Sequence, residues 1–301
     1  MQKYTLLIVL LLSASLGFAQ QEPMYAQYKT NAFLLNPAVA GSADHHELRL
    51  NYRSQWSRFP GSPQTLSASY HGAVDAKNAV GAIFISDRTG PSERTGIQLA
   101  YAFHVPMGIS EEYHLSFGLS GKAIRYGFDP NRVFFEDPTD ATIAEAAAGL
   151  SVADVAFGAY LYSENLYLGF SAPNLIQTDL SGIDDGSRTL LSKLYRHYFA
   201  IAGYTFRYDQ FSVEPSVMVK KVQSAPYQIE GTVRFNFVDD RLFAGVSYRT
   251  DWLMSFMCGV RARNLFFAYS ADFMPAATRN VRVFGNTNEL TLGIDIGHFD
   301  R

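Results

Sequence analysis

Cysteine is nearly absent from this chain of 301 residues: Cys258 is the single instance, which excludes an intramolecular disulfide and any cysteine-based zinc site. Lying mid-strand on an apolar stripe, it reads as a small buried hydrophobe. No sign of charge dominates, because the formal net charge is only −3. A basic footprint for nucleic acid is therefore lacking. Long apolar runs are missing too. The longest, residues 6–12, falls far short of the roughly 20 residues a membrane helix needs, and the mean hydropathy is −0.04. There is no phosphate loop, dinucleotide fingerprint or CxxC pair.

What is present suits strands. Phe occurs 23 times and Tyr 18 times, against 2 Trp, and Gly reaches 23. The short apolar run has Lys3 before it and Gly17-Phe18-Ala19 after it, the layout of a secretory signal peptide over residues 1–19. No cysteine follows the run, so it is not a lipoprotein signal. Residues 20–46 lack clean alternation. Met24, Tyr28 and Leu35 fit a helical stripe punctuated by Asn36-Pro37 and Gly41, and the segment reads as a pre-barrel element tucked into a lumen.

From residue 47 to 301 a period of two takes over. In residues 226–238, Tyr227, Ile229, Val233, Phe235 and Phe237 share one face while Gln228, Glu230, Thr232, Arg234 and Asn236 share the other. One such strand also fits a soluble sandwich, but the pattern recurs about fourteen times, each copy near the roughly 10 residues a tilted membrane strand needs. Arg49, Arg53, Lys122, Glu214, Glu230, Arg234, Arg241, Arg249, Arg261, Asp272, Glu289 and Asp295 all fall opposite the apolar stripe. A cation facing lipid at mid-membrane costs roughly 2–4 kcal/mol, so this placement is what an antiparallel, up-and-down transmembrane β-barrel demands. Connections sort as well. The long ones, near residues 125–150, 172–193 and 274–286, share one parity, and the opposite parity has only brief turns. With a periplasmic N-terminus, the brief turns are periplasmic.

Catalytic and metal readings find little. Asp44-His45-His46-Glu47 invites a metal, yet neighbours on an extended segment point apart, and no partner cluster is evident. The predicted metal, cofactor and catalytic residues are none. Ser67, Ser69 and His71 share a strand face, as a serine hydrolase would want, but polar triplets are ordinary on a lumen-facing strand. Trp56, Arg58 and Phe59 before Pro60-Gly61 form an aromatic–arginine group in the first outer connection, suited to a partner surface or to the membrane interface.

The sequence resembles the PorP/SprF proteins of the type IX secretion system of Bacteroidetes. The resemblance rests on Tyr28, Asn36-Pro37-Ala38-Val39-Ala40-Gly41, Tyr52-Arg53-Ser54-Gln55-Trp56 and Phe59-Pro60-Gly61-Ser62-Pro63-Gln64-Thr65. Further blocks are Ser69-Tyr70-His71, Leu115-Ser116-Phe117-Gly118-Leu119 and Ser171-Ala172-Pro173-Asn174-Leu175. Glu214-Pro215-Ser216, Gly245-Val246-Ser247-Tyr248-Arg249 and Asn288-Glu289-Leu290-Thr291-Leu292-Gly293 complete it. The chain ends Phe299-Asp300-Arg301, where many outer-membrane barrels finish on an aromatic. The resemblance implies an outer-membrane barrel without catalysis that serves type IX secretion or gliding. Its implied partners are other secretion components, a secreted surface protein or its C-terminal domain, and a peptidoglycan-binding periplasmic lipoprotein. Asn36, Pro37, Trp56, Arg58 and Phe59 are the candidate partner contacts. The alternative is an outer-membrane transporter for fatty acids or other hydrophobic small molecules, against which the predicted lumen charges weigh.

Overall fold

A computed structural model of the chain describes Tyr28 and residues 30–57, 60–108, 112–132, 148–178, 194–223, 225–250, 252–273 and 287–297. The predicted signal peptide, Met24, Arg58 and Phe59 lie outside these residues. The strands are β1 (His46–Ser54), β2 (Gln64–Ala73), β3 (Asn78–Thr89), β4 (Ser92–Met107), β5 (Tyr113–Phe128), β6 (Leu150–Tyr162), β7 (Leu166–Ala172) and β8 (His197–Tyr204). They continue as β9 (Phe206–Arg207), β10 (Phe211–Val222), β11 (Gln228–Phe237), β12 (Leu242–Arg249), β13 (Leu253–Ala262), β14 (Leu265–Phe273) and β15 (Thr287–Ile296).

Every pairing is antiparallel, and β1 pairs with β15 from His46↔Ile296 to Ser54↔Asn288, so the sheet closes on itself. Closure is what hydrocarbon requires, since an open edge would leave backbone N–H and C=O groups with no partner. The two-residue β9 pairs with β10 as Ser212↔Arg207, in the same register as Ser216↔Gly203 between β10 and β8. It is a displaced end of β8, and the barrel itself has the predicted fourteen strands.

Alternation runs the way the sequence indicates. On β1, Leu48, Leu50 and Tyr52 are exposed on the outer surface, while Arg49, Asn51 and Arg53 are buried in the lumen. The brief connections of one rim are residues 74–77, 108–112, 163–165, 208–210, 238–241 and 263–264. The long connections join β5 to β6, β7 to β8 and β14 to β15, whose joined ends lie at the opposite rim, matching the predicted sorting.

Three expectations change. Arg241 sits exposed in the short turn ahead of β12 rather than in the lumen, so no neighbouring strand has to pair its charge. The helical stripe through Tyr28 and Leu35 is instead two 3-10 turns, Ala32–Leu34 and Pro37–Val39, separated by Asn36. Pro37 removes the N–H that would carry one helix through. Strand β4 begins at Ser92, earlier than the alternation starting at Ile97 indicates, and pairs with β5 out to Ser92↔Phe128. Beyond the apolar band no lipid imposes a period of two, so the hairpin continues there without one.

If the outer face is lipid-facing, Leu50→Arg, mid-strand on β1, should destabilise the folded barrel by about 2–4 kcal/mol. Reversible unfolding in lipid vesicles, followed by gel mobility of unheated samples, reads this. Wild-type stability in the variant would overturn the assignment of that face.

Candidate functional site

The lumen is occupied by the chain's own Tyr28 and residues 30–41, which lie across it ahead of β1. Five strands hold it. Asn31 Nδ2 donates to Ser69 Oγ on β2 at 2.8 Å, and Asn36 Nδ2 donates to the Ala159 carbonyl on β6 at 3.1 Å. Ser171 Oγ on β7 donates to the Leu35 carbonyl at 2.7 Å, and the Tyr28 hydroxyl meets Thr232 Oγ1 of β11 at 3.2 Å. Two histidines grip the last turn of the plug. His104 on β4 has Nε2 2.9 Å from the Ala40 carbonyl, so Nε2 donates and Nδ1 is left to accept from the Tyr162 hydroxyl at 2.9 Å. His71 on β2 accepts from the Gly41 N–H at Nδ1 (3.2 Å), which puts its proton on Nε2, 3.1 Å from Glu47 Oε2.

Apolar packing completes the seat. Phe33, Val39 and Ala40 pack against Ala79, Ile83, Ala100 and Ala102, and Tyr28 packs against Phe199 and Met218. The wall makes room with glycine. A Cβ at Gly118 on β5 would overlap the Ala38 backbone, and one at Gly158 on β6 would overlap Asn36 Oδ1.

The described candidate residues fall in different places. Asn36 and Pro37 are buried in the plug, where Asn36 Oδ1 also caps the second 3-10 turn by accepting from Ala38 N at 3.0 Å. Trp56 is exposed, in the connection after β1, with φ at 52°. Ser67, Ser69 and His71 do share the lumenal face, but both ring nitrogens of His71 are engaged by Gly41 and Glu47. Neither is available to take a serine proton. Ser69 and His71 instead fasten the plug.

The charges predicted for the lumen arrive there in pairs. At the seam between β14, β15 and β1, Arg53 reaches Asp272 at 2.6 Å and Glu289 at 2.7 Å, while Asn51 donates to Glu289 and Thr291, both at 2.8 Å. One layer nearer the short-turn rim, Arg49 lies 2.8 Å from Glu47 and 2.7 Å from Asp295 and stacks over the Phe266 ring at 4.8 Å. Arg234 pairs with Glu214, which also accepts from the Tyr167 hydroxyl at 2.9 Å. The metal reading resolves at the second layer. His46 faces outward against Tyr70, while His45, Glu47 and Asp295 bring ligand atoms within 4.8 Å of one another. Asp295 comes from the other end of the chain, which sequence spacing does not reveal. Arg49 already supplies the positive charge between both carboxylates, so a dication would have to displace a buried guanidinium.

Between plug and wall a cavity of about 320 Å³ opens at the short-turn rim. The plug residues Tyr28, Leu35 and Asn36 form its floor, and Glu164, Arg207 and Asp240 stand at its mouth. Inside, Arg234 stacks over Phe243 at 5.6 Å, Phe243 over Phe266 at 5.9 Å, and Arg261 over Phe266 at 5.7 Å. Sequence reasoning missed this vestibule, because its ladder is assembled across four strands.

Two predictions follow from the seat and from the rim cluster. Gly158→Leu should expel the plug at a cost of about 1–3 kcal/mol or more while the strands still close. Limited chymotrypsin digestion after Phe33 reads this, and a protected Phe33 in a folded variant would refute the seat. His45, in the bend ahead of β1, has its pKa raised from 6.5 to about 10 by Asp295 first and Glu47 next, against the opposing effect of burial. Because the folded value is the higher one, the stabilisation is complete below about 6.5 and is lost as pH rises through about 10. His45→Gln should therefore flatten the fall in stability over that interval, measured against wild type by unfolding at each pH. Parallel curves for the two would sink the assignment.

Several solved structures are distantly similar to this chain. The Acinetobacter baumannii outer membrane protein Omp33 is 10% identical, with 85% of this chain and 100% of that chain covered and a TM-score of 0.47. The CymD monoaromatic hydrocarbon channel is 12% identical, with 95% and 96% covered and a TM-score of 0.49. The Pseudomonas putida toluene transporter TodX is 10% identical, with 90% and 95% covered and a TM-score of 0.45. Likeness this distant says nothing about a ligand. No curated protein matches the sequence. The family model of the type IX secretion system membrane protein PorP/SprF, however, matches residues 17–294, and the chain belongs to that family.

Proposed function

We propose that this protein is a non-catalytic outer-membrane component of type IX secretion that docks a secreted surface protein or a periplasmic partner. The observation that carries the reading is the state of the lumen. It is filled by the chain's own plug and by paired charges, and the vestibule opens at the short-turn rim, on the periplasmic side in this reading. Tyr, Phe and Arg are the residues that carry binding energy at protein interfaces, and Tyr167, Phe243, Phe266, Arg234 and Arg261 line this recess. The charges in the recess favour docking over transport of hydrophobic molecules. A transporter needs an apolar path, whereas Glu214 and Arg234 stand in the cavity wall.

The test is to tag the protein, solubilise it gently from native outer membranes and identify what co-purifies, with an unrelated barrel as control. A large secreted protein or a peptidoglycan-binding lipoprotein absent from the control is the expected result. Recovery of bound fatty acid alone would favour the transporter instead.

A further inference from the structure

Outward-facing cations on a barrel wall need a partner, and Arg125 on β5 donates to the Ala148 carbonyl at 3.2 Å. Arg88 pairs with Glu93 at 2.7 Å. Arg196 and Lys221 differ. Arg196, just ahead of β8, donates from Nη2 to the Leu175 carbonyl at 2.6 Å and from Nη1 to the Tyr198 hydroxyl at 3.4 Å. Lys221, near the end of β10, donates to the Ala225 carbonyl at 2.7 Å and lies 4.4 Å from the Tyr227 ring centre. Among the described residues, no carboxylate is paired with either.

The register brings the two together. Lys221 stands directly opposite Tyr198, so Arg196 is its diagonal neighbour at roughly 7–8 Å between backbones. Tyr198 and Tyr227 flank the lysine, and both are exposed on the outer surface. One pair of residues closer to the barrel's waist lies the row Phe170, Ala200, Val219 and Ile229, joined strand to strand. The Phe170 ring stacks on Tyr198 with centroids 6.3 Å apart. From the waist toward the long-loop rim, the surface thus runs apolar, then tyrosine–lysine–tyrosine, then arginine.

That order matches a lipid laid along the wall, with acyl chains on the apolar row and a headgroup at the cations. We infer that this patch binds the phosphorylated headgroup of an outer-leaflet lipid, with Arg196 and Lys221 holding the phosphate and Tyr198 and Tyr227 flanking it. Tyrosines alone mark any membrane interface. The distinguishing feature is two neighbouring cations with no acid paired to either among the described residues, since guanidinium and ammonium are the groups that recognise phosphate. The inference is independent of which protein partner is docked.

The test uses the full-length protein in detergent and native mass spectrometry. The probes are bisphosphorylated lipid A and the same lipid after phosphatase treatment. Wild type should retain the phosphorylated form about tenfold better, a preference of about 1.4 kcal/mol. The double variant Arg196→Gln, Lys221→Gln should lose that preference, and Arg88→Gln should keep it. Lys221→Gln alone, which gives up a turn carbonyl and the contact with the Tyr227 ring, should show a partial loss and carries the test if the double variant does not fold. Equal retention of both lipids by wild type, or an unchanged preference in the variants, would overturn the site. Displacement of the lipid by equimolar inorganic phosphate would do the same, because the site would then be one for a free anion.

Discussion

A charged side chain that cannot face hydrocarbon has only the lumen to go to, and in the lumen it must be neutralised by another strand. That constraint organises the barrel. Arg53 and Arg49 belong to β1, and their partners Asp272, Glu289 and Asp295 belong to β14 and β15. The charges that alternation drives inward therefore bridge the place where the two ends of the sheet meet. Removing one member of such a buried cluster would strand the others, at a cost of about 3–5 kcal/mol, so the pairing also fixes register. A slip of one residue between β1 and β15 would turn Arg49 and Arg53 toward lipid.

Ion pairs alone do not fill the space. About eight strands enclose an interior that wall side chains can fill, and fourteen enclose more. Tyr28 and residues 30–41 supply the missing core, with Phe33, Val39 and Ala40 packed on the alanines and Ile83 of β3 and β4. Because the plug is polar at its edges and apolar at its centre, it satisfies both kinds of wall. Its carbonyls meet Ser171 and His104, and its side-chain amides meet Ser69 and the Ala159 carbonyl. The plug makes a stack of hydrogen-bonded strands into a solid body, which is why the glycines beneath it matter more than their lack of chemistry suggests.

How much of this the sequence discloses depends on the range of the interaction. Alternation is local, so the faces of β1, β4, β5 and β15, the strand count and the sorting of turns were all legible. The burial of Asn36 and Pro37 was not, since nothing within a few residues of them indicates that Gly118, Gly158 and Ala159 arrive from elsewhere. Inward glycines in two adjacent strands were the available signal, and only the plug gives them meaning. The cluster of His45, Glu47 and Asp295 was hidden for the same reason. Two of its members lie two residues apart where the bend enters β1, and the third is supplied by barrel closure. Arg241 failed differently. One residue outside a strand, periodicity no longer constrains which way a side chain points.

The same distinction separates what the barrel needs from what a partner can read. Side chains that hold plug and seam are spent internally: His71, His104, Asn36 and Glu214 each have their polar atoms committed to the chain itself. Recognition must then come from groups with something left to offer. The vestibule has them, because Arg261 keeps 41% of its side chain accessible while stacked on Phe266, and Arg207 and Asp240 are only loosely paired at 3.5 Å. Exposed pairs of that kind contribute little to stability, typically under about 1 kcal/mol, so a partner can compete for them at small cost. A filled lumen with an adaptable, aromatic-lined mouth is the arrangement on which the proposed docking role rests.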